Sequence, residues 1–333
     1  MKKVLTINAG SSSLKACLFS DNGLTRQDFR YTNVTSMRDA FAQLLSDLGD
    51  NLPDVVGHRV VHGGEITDAA RLIGRVERRR LSSIVNLAPL HMPANLLGYE
   101  LCSELFKVPQ IACYDTSFHS TIPEINYRLP IPTSMGFRKY GFHGLNYSHV
   151  AKQLPYFLGD LSQGKIVIAH LGSGSSLCLL ESLKSIDTTM GFTPAGGVVM
   201  GSRCGDIDPG VMLALSESYT PKEVETIIFK DSGLLALSYG RSSDMQELCM
   251  YPSPDGDFAI ESYCSSIRGA IGSMAAKAGG IDAIVFTGGI GENSGMIRCK
   301  IMDKLSFLNI KESLIIPADE EKVIYDLCNE YVL

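Results

Sequence analysis

Lys2-Lys-Val-Leu-Thr-Ile-Asn-Ala-Gly-Ser-Ser-Ser-Leu-Lys-Ala-Cys-Leu-Phe19 decides the fold. An apolar run from Val4 to Ile7, the turn Asn8-Ala9-Gly10-Ser11-Ser12-Ser13 and a second alternating run from Leu14 to Phe19 spell strand, tight turn, strand. The turn sets small and hydroxyl side chains around one glycine, so its backbone N–H groups and serine hydroxyls can come close to an anion. Lys15 stands just beyond it. A phosphate cradle on a hairpin and an ordinary serine-rich hairpin turn both fit. A P-loop does not, because the Gly-x-x-x-x-Gly-Lys-Ser/Thr spacing is missing and the turn leads into a strand.

The same grammar returns in Ile166-Val-Ile-Ala-His-Leu-Gly-Ser-Gly-Ser-Ser-Leu-Cys-Leu-Leu180. Aligning Leu177 with Leu14 superposes Ser175-Ser176 on Ser12-Ser13. A hairpin repeated at this separation suggests two duplicated domains, each offering a glycine/serine turn to a ligand in an interdomain cleft. That pattern resembles the actin, sugar-kinase and Hsp70 superfamily, and the expected fold is a duplicated α/β, RNase H-like one.

The bulk numbers agree with an ordinary globular chain. Its 333 residues suffice for two well-buried cores, and 45% hydrophobic with 20% charged residues is typical composition. A net charge of −6 argues against a general binder of nucleic acid or membrane surfaces, whose affinity needs a basic face. The nine cysteines have neither a Cys-x-x-Cys pair nor zinc spacing, and are expected to be reduced, mostly buried thiols of a cytoplasmic protein. Asn8 and Gly10 come too early for a signal-peptide apolar region, and no run reaches membrane-spanning length.

Along the chain, Ser36-Met-Arg-Asp39 resembles a capping box, followed by a helical stripe of Met37, Phe41, Leu44, Leu45 and Leu48. Val55 to Gly64 reads as a strand closing on a Gly-Gly turn. Arg59 stands there among valines, where a guanidinium needs an anionic partner. A structural ion pair and a substrate or phosphate clamp both satisfy that need. His91 lies in a proline-bracketed loop before a helix expected over residues 94–106, and carries little weight as a loop histidine by itself. Asp115 ends an apolar strand, the position at which open α/β sheets bind ligands. His143 sits between the glycines of Tyr140-Gly-Phe-His-Gly144, as either a ligand-facing or a capped core histidine. Residues 187–209 form a long, glycine-rich stretch without a regular period, with Arg203 in it as a second candidate anion clamp. Helices are expected over 221–237 and 257–278. Ile281 to Ser294 reads as a buried strand, a glycine turn and a helix start suited to part of a nucleotide. It lacks the Gly-x-Gly-x-x-Gly dinucleotide fingerprint. Asp319, Glu320 and Glu321 open a final helix, where acidic residues ordinarily suit the helix dipole.

Six ordered stretches together resemble the acetate kinase family (acetate and propionate kinases) nearly end to end. They are Ile7 to Lys15, Gly57 to Gly64, Asp115 to His119, Tyr140 to Gly144, Gly201 to Pro209 and Phe286 to Ser294. The resemblance implies magnesium- (or manganese-) and ATP-dependent phosphorylation of a small carboxylate such as acetate or propionate, reversibly giving an acyl phosphate and ADP. It implies catalytic roles for Arg59, His91, Asp115, His143 and Arg203, and an acyl pocket of Arg59, Val61, Leu90, Phe142 and Pro194. Nucleotide contacts fall on Ser11, Ser13, Lys15, His170, Gly172, Ser173, Gly174, Asp244, Met245, Gly289, Ile290, Gly291, Asn293 and Ser294. Metal-linked positions are Asn8, Asp115 and Glu320. The family is usually homodimeric. The implied domains are residues 1–116 with 321–333, and residues 117–320 carrying the nucleotide and dimer surfaces.

The chemistry suits this independently, because an ionised carboxylate is its own nucleophile and needs positioning and charge neutralisation rather than a general base. Several residues depart from the family pattern: Ser173 for asparagine, Tyr147 for histidine, Met92 for asparagine, Gly196 for glutamate, Gln246 for arginine and Asp319 for asparagine. The chain is also several dozen residues shorter than usual, mostly between Lys15 and Arg59 and before the last strand. Two other classes compete: a non-catalytic nucleotide or acyl-phosphate binding relic, and a sugar kinase. Retention of both arginines, His143 and Asp115 disfavours the relic, and the paired arginines favour an anionic acceptor over a sugar hydroxyl.

Overall fold

The computed structural model describes residues 2–10 and 13–332. The chain divides into two compact units, one of residues up to 120, 142–149 and 319 onward, the other of residues 121–141 and 150–318.

In the first unit, β1 (Val4–Ala9), β2 (Ser13–Ser20), β3 (Thr25–Thr32), β4 (Val55–Val60), β5 (Ala70–Leu72) and β6 (Gln110–Tyr114) form one sheet in the order β3-β2-β1-β4-β6-β5. The opening hairpin is antiparallel with Asn8 opposite Lys15, and Gly10 N–H closes the turn on the Ser13 carbonyl at 2.8 Å. β1, β4 and β6 run parallel. Alternation along β1 sends Leu5, Ile7 and Ala9 to one face, against the helices Met37–Leu48 and Met92–Leu105. Val4 on the other face joins Cys17, Ile111 and Cys113 under the last helix, Glu320–Val332. Helices on both faces leave the carboxyl edge of the parallel strands as the place for side chains with chemistry.

In the second unit, β7 (Lys165–His170), β8 (Ser176–Glu181), β9 (Lys184–Thr188), β10 (Ala283–Thr287) and β11 (Glu312–Ile315) give the order β11-β10-β7-β8-β9. Counted from its own first strand, each unit runs 3-2-1-4-5 with the second strand antiparallel, and β5 is an extra edge strand in the first. The repeated hairpin therefore marks a duplicated fold. Leu177 pairs with Ala169 as Leu14 pairs with Ala9, so the two hairpins share their register and differ in turn length. The 25-residue helix Pro254–Ala278 buries Ile260, Cys264, Ile267, Ile271 and Met274 against this sheet.

Several expected boundaries shift. Ser36 Oγ accepts from Asp39 N–H at 3.3 Å and starts its helix where the sequence suggests. The helix after His91 starts two residues early, at Met92, with Pro93 in its first turn, where a missing N–H costs nothing. The single helix expected over 221–237 is two, Pro221–Lys230 and Gly233–Leu237, because the Ser232 N–H leaves the helix to bond the Ser202 carbonyl at 3.0 Å. After β10 the short helix Gly288–Asn293 follows directly, with no separate turn. Residues 189–208 carry no helix or strand. The nine cysteines are free; six are buried, Cys204 and Cys249 are half-buried and Cys299 is exposed. Among the described residues no helix is long and apolar enough to cross a membrane.

Candidate active site

Three neighbouring parallel strands of the first unit end on candidate site residues. Ile7 of β1 pairs with His58 of β4, and Arg59 with Cys113 of β6, so Asn8, Arg59 and Asp115 arrive together at the carboxyl edge. The Arg59 guanidinium donates from Nε and Nη2 to Asp115 Oδ2, at 3.0 and 2.8 Å, and from Nη1 to Glu320 Oε2 at 2.9 Å. The anionic partner that a guanidinium among valines requires is thus a pair of carboxylates. Three of its five N–H donors are engaged in this way, leaving two for a ligand. Burial works against the Arg59 charge, but Asp115 and then Glu320 outweigh it and hold its pKa above the ordinary value. Asp115 is fully buried, and burial raises its pKa; Glu320 pushes the same way and Arg59 opposes. His58 and His62 flank Arg59, and burial pushes each down to about 4, so the local positive charge belongs to the arginine.

The segment 142–149 is fixed to the same edge. A Cβ on Gly144 would lie 1.9 Å from the Asp115 carbonyl oxygen, so only glycine permits this approach. Leu145 N–H points to Asp115 Oδ1 at 3.5 Å, and His119 Nε2 bonds the Phe142 carbonyl at 3.0 Å. His143, between these anchors, has φ +59°, a conformation costly for a residue with a side chain and characteristic of functional sites. Val61 and Phe142 are buried, and Leu90 is half-buried in the turn before His91, the N-cap of the Met92–Leu105 helix. Asn95, buried within that helix, accepts from Val61 N–H and donates to the Ala9 carbonyl, tying the ends of β1 and β4 together. Asn95 and His119 are supporting residues that the sequence reading passed over; a polar residue on the buried face of an apolar helix is the signal for the first.

In the second unit, the Leu171 N–H bonds the Thr287 carbonyl and the Ile290 N–H bonds the Leu171 carbonyl, each at 2.8 Å. This brings the glycine turn after β7 alongside the start of the helix Gly288–Asn293. They border a cavity of about 700 Å³ lined by Gly172, Ser173, Asp244, Met245, Gly289, Ile290, Asn293 and Ser294. Gln246, Cys249, Met250 and Ser243 complete the wall, the last three without a sequence signal. The cavity lies within the range of small-molecule sites. His170 at the end of β7, Gly174 in the turn after it and Gly291 in the helix Gly288–Asn293 do not line the cavity. Asp244 caps the helix Met245–Met250, with one carboxylate oxygen accepting from Gln246 and Glu247 N–H. Arg203 lies beside the β7 turn, its Nη1 3.2 Å from where a Gly174 Cβ would be, and donates to the Pro194 carbonyl at 3.1 Å. Ser11 lies outside the described residues. Ser13 opens β2, and Lys15 is exposed on it.

The departures from the family pattern have local accommodations. Asp319 accepts twice from Arg26 at 2.8 Å, Tyr147 is buried with its ring edge-on to His119, and Met92 is fully buried. At position 196 a Cβ would stand 3.2 Å from Asp206 Oδ1, so a glutamate there would meet a second carboxylate.

Among the described residues no three His, Cys, Asp or Glu side chains gather as a metal cluster. Asp115 and Glu320, with Asn8 on the neighbouring strand end, are nevertheless all hard oxygen donors of the type magnesium and manganese accept.

The duplicated 3-2-1-4-5 sheets, with charged and glycine-rich strand ends, place the chain in an actin-like two-domain α/β class. The acetokinase family model matches residues 26–324. An acetate kinase of Rhodopseudomonas palustris is 39% identical over 347 aligned positions, covering 92% of this chain and 87% of that protein. Among solved structures, a propionate kinase from Francisella tularensis superposes with a TM-score of 0.90 at 30% identity, covering 99% of this chain and all of that one. An acetate kinase from Entamoeba histolytica gives 0.86 at 31%, covering 98% and 99%. The chain belongs to the acetokinase family, whose members are kinases with a carboxyl group as phosphoryl acceptor and ATP or ADP as co-substrate.

Proposed function

We propose that the chain transfers the γ-phosphoryl group of ATP reversibly to acetate or propionate by direct in-line attack, giving acyl phosphate and ADP. The observation that carries this reading is the Arg59 guanidinium held between Asp115 and Glu320 with two N–H donors to spare. One substrate carboxylate oxygen forms the new P–O bond while the bond from the γ-phosphorus to the ADP oxygen breaks. No proton moves, because the acid is already ionised at neutral pH. Arg59 orients the carboxylate, and Val61, Leu90, Phe142 and Pro194 bound its short apolar chain. His143 and Arg203 act on the charge that develops on the transferring group, and His91 supports them. The second-unit cavity takes the nucleotide, with phosphates toward Gly172 to Gly174 and adenosine along Asp244, Met245 and the segment Gly289 to Ser294. Ser11, Ser13, Lys15 and His170 complete the phosphate contacts. Magnesium, held by Asp115, Glu320 and Asn8, would neutralise phosphate charge during transfer.

The first unit thus supplies the metal-linked residues and most acid contacts, and the second supplies most nucleotide contacts and the assembly surface. The helix Pro209–Ser218 buries none of its residues and exposes Val211 and Leu213, which a second copy of the chain covers in a homodimer. The protein works in the cytoplasm, in keeping with its free, mostly buried thiols.

Hydroxylamine trapping of acyl phosphate tests the reading, with magnesium ATP and acetate, propionate or butyrate in parallel. Hydroxamate formed by the wild type and lost in Arg203→Ala is expected. No product with any acid, despite nucleotide binding, would overturn it.

A further inference from the structure

The helix Arg75-Val-Glu-Arg-Arg-Arg-Leu-Ser-Ser83 in the first unit takes no part in this chemistry. Arg75, Arg78 and Arg79, at i, i+3 and i+4, share one exposed face. With Tyr99, Glu100 and Ser103 of the Met92–Leu105 helix they line a surface cavity of about 830 Å³. Two carboxylates border the cavity, and both are engaged: Glu100 by Arg78, and Glu104 by Arg38 at 3.0 Å. Among the described residues no carboxylate pairs with Arg75 or Arg79, so two positive charges on one face of a net-negative chain are left uncompensated.

Glu77 in the first turn and Arg80 in the last suit the helix dipole, and Arg75 runs against it. Arginine at its first position adds positive charge where the backbone dipole is already positive, and Gly74 at the N-cap offers no side-chain acceptor to the first N–H groups. A Cβ on Gly74 would meet nothing within 4 Å, so the approach to that end is open. One multivalent anion would relieve both the like-charge crowding and the uncapped terminus. Guanidinium pairs suit phosphate oxygens bidentately, and Tyr99 presents a ring at the cavity wall.

We propose that this cavity is a binding site for a small multivalent phosphate anion, a triphosphate group gripped by Arg75 and Arg79 with Arg78 shared between ligand and Glu100. The chain's net charge of −6 favours a small ligand over a nucleic-acid strand. Tyr99 connects the site inward, its ring edge-on to His58 at 6.0 Å, the residue before Arg59 on β4.

The test is calorimetric titration of the full chain and of the Arg75→Gln/Arg79→Gln variant with inorganic tripolyphosphate and, separately, with ATP. Both side chains are exposed and lie outside the catalytic set, so basal turnover should be unchanged. One equivalent of tripolyphosphate that weakens at least tenfold in the variant is expected. A second ATP equivalent lost in the same variant would identify a nucleoside triphosphate as the source, and loss with tripolyphosphate only would identify a free polyphosphate. Superimposable isotherms for wild type and variant with both anions would overturn the proposal.

Discussion

Arg59→Ala removes the cation from a pair of carboxylates that the fold does not otherwise separate. Asp115, with a side chain 0% exposed, and Glu320, 14% exposed, would face each other across the vacated space. Breaking a buried ion pair by deleting one partner costs about 3–5 kcal/mol, since the remaining charge keeps its desolvation penalty. That is a large part of the roughly 5–15 kcal/mol that stabilises a typical domain. The loss should depend on pH. Burial and Glu320 already raise the Asp115 pKa and Arg59 opposes them, so removing Arg59 raises it further. A carboxyl whose folded-state pKa lies above its unfolded value favours the fold while protonated, and that contribution disappears as pH rises through the folded pKa. Urea unfolding at pH 8 and pH 5 should therefore show the larger deficit at pH 8 and the smaller at pH 5, the direction set by the raised Asp115 pKa. A deficit equal at both pH values, or below about 1 kcal/mol at pH 8, would refute the reasoning, because the two carboxylates would then not depend on Arg59.

Other expected outcomes separate the parts of the account. Gly144→Ala forces its Cβ onto the Asp115 carbonyl and to 2.9 Å from Phe118 Cβ; overpacking of this kind costs about 1–3 kcal/mol or more, and turnover should fall with stability in a denaturation and rate assay. Gly201→Ala places a Cβ 2.8 Å from the Ser243 carbonyl and 3.2 Å from that of Ser173, both in cavity-lining residues, so KM for ATP should rise while KM for the acid stays unchanged. Val211→Glu/Leu213→Glu should halve the mass seen in sedimentation, with each exposed site changing monomer stability by only about 0.5 kcal/mol.

The hairpin Val4 to Phe19 and its echo near residue 170 made the duplication legible, because the two-residue alternation survives wherever one sheet face is buried. Arg59 and Asp115 were visible as a charge among valines and a charge at a strand end. Their mutual partnership was not, since 56 residues separate them and only the parallel β4–β6 register joins them. Glu320 shows the same limit. At the start of a helix it reads as a dipole-favouring acid, and its bond to Arg59, 261 residues away, exists only in the folded unit. The strained backbone of His143 and the close approach of Gly144 leave a hint in the glycine spacing but no direct mark. Boundaries failed where tertiary hydrogen bonds took over from local pattern, as at Ser232.

The central claim of the proposed function is that His143 and Arg203 act on the same transferring phosphoryl group. A double-mutant cycle on kcat/KM with His143→Ala, Arg203→Ala and the double variant tests it most directly. Each single loss should be on the order of 10²–10³. Residues acting as one unit are strongly non-additive, so the account predicts a double variant within about tenfold of the worse single. Losses that multiply through to the full product would mean that His143 and Arg203 serve separate steps, and would contradict it.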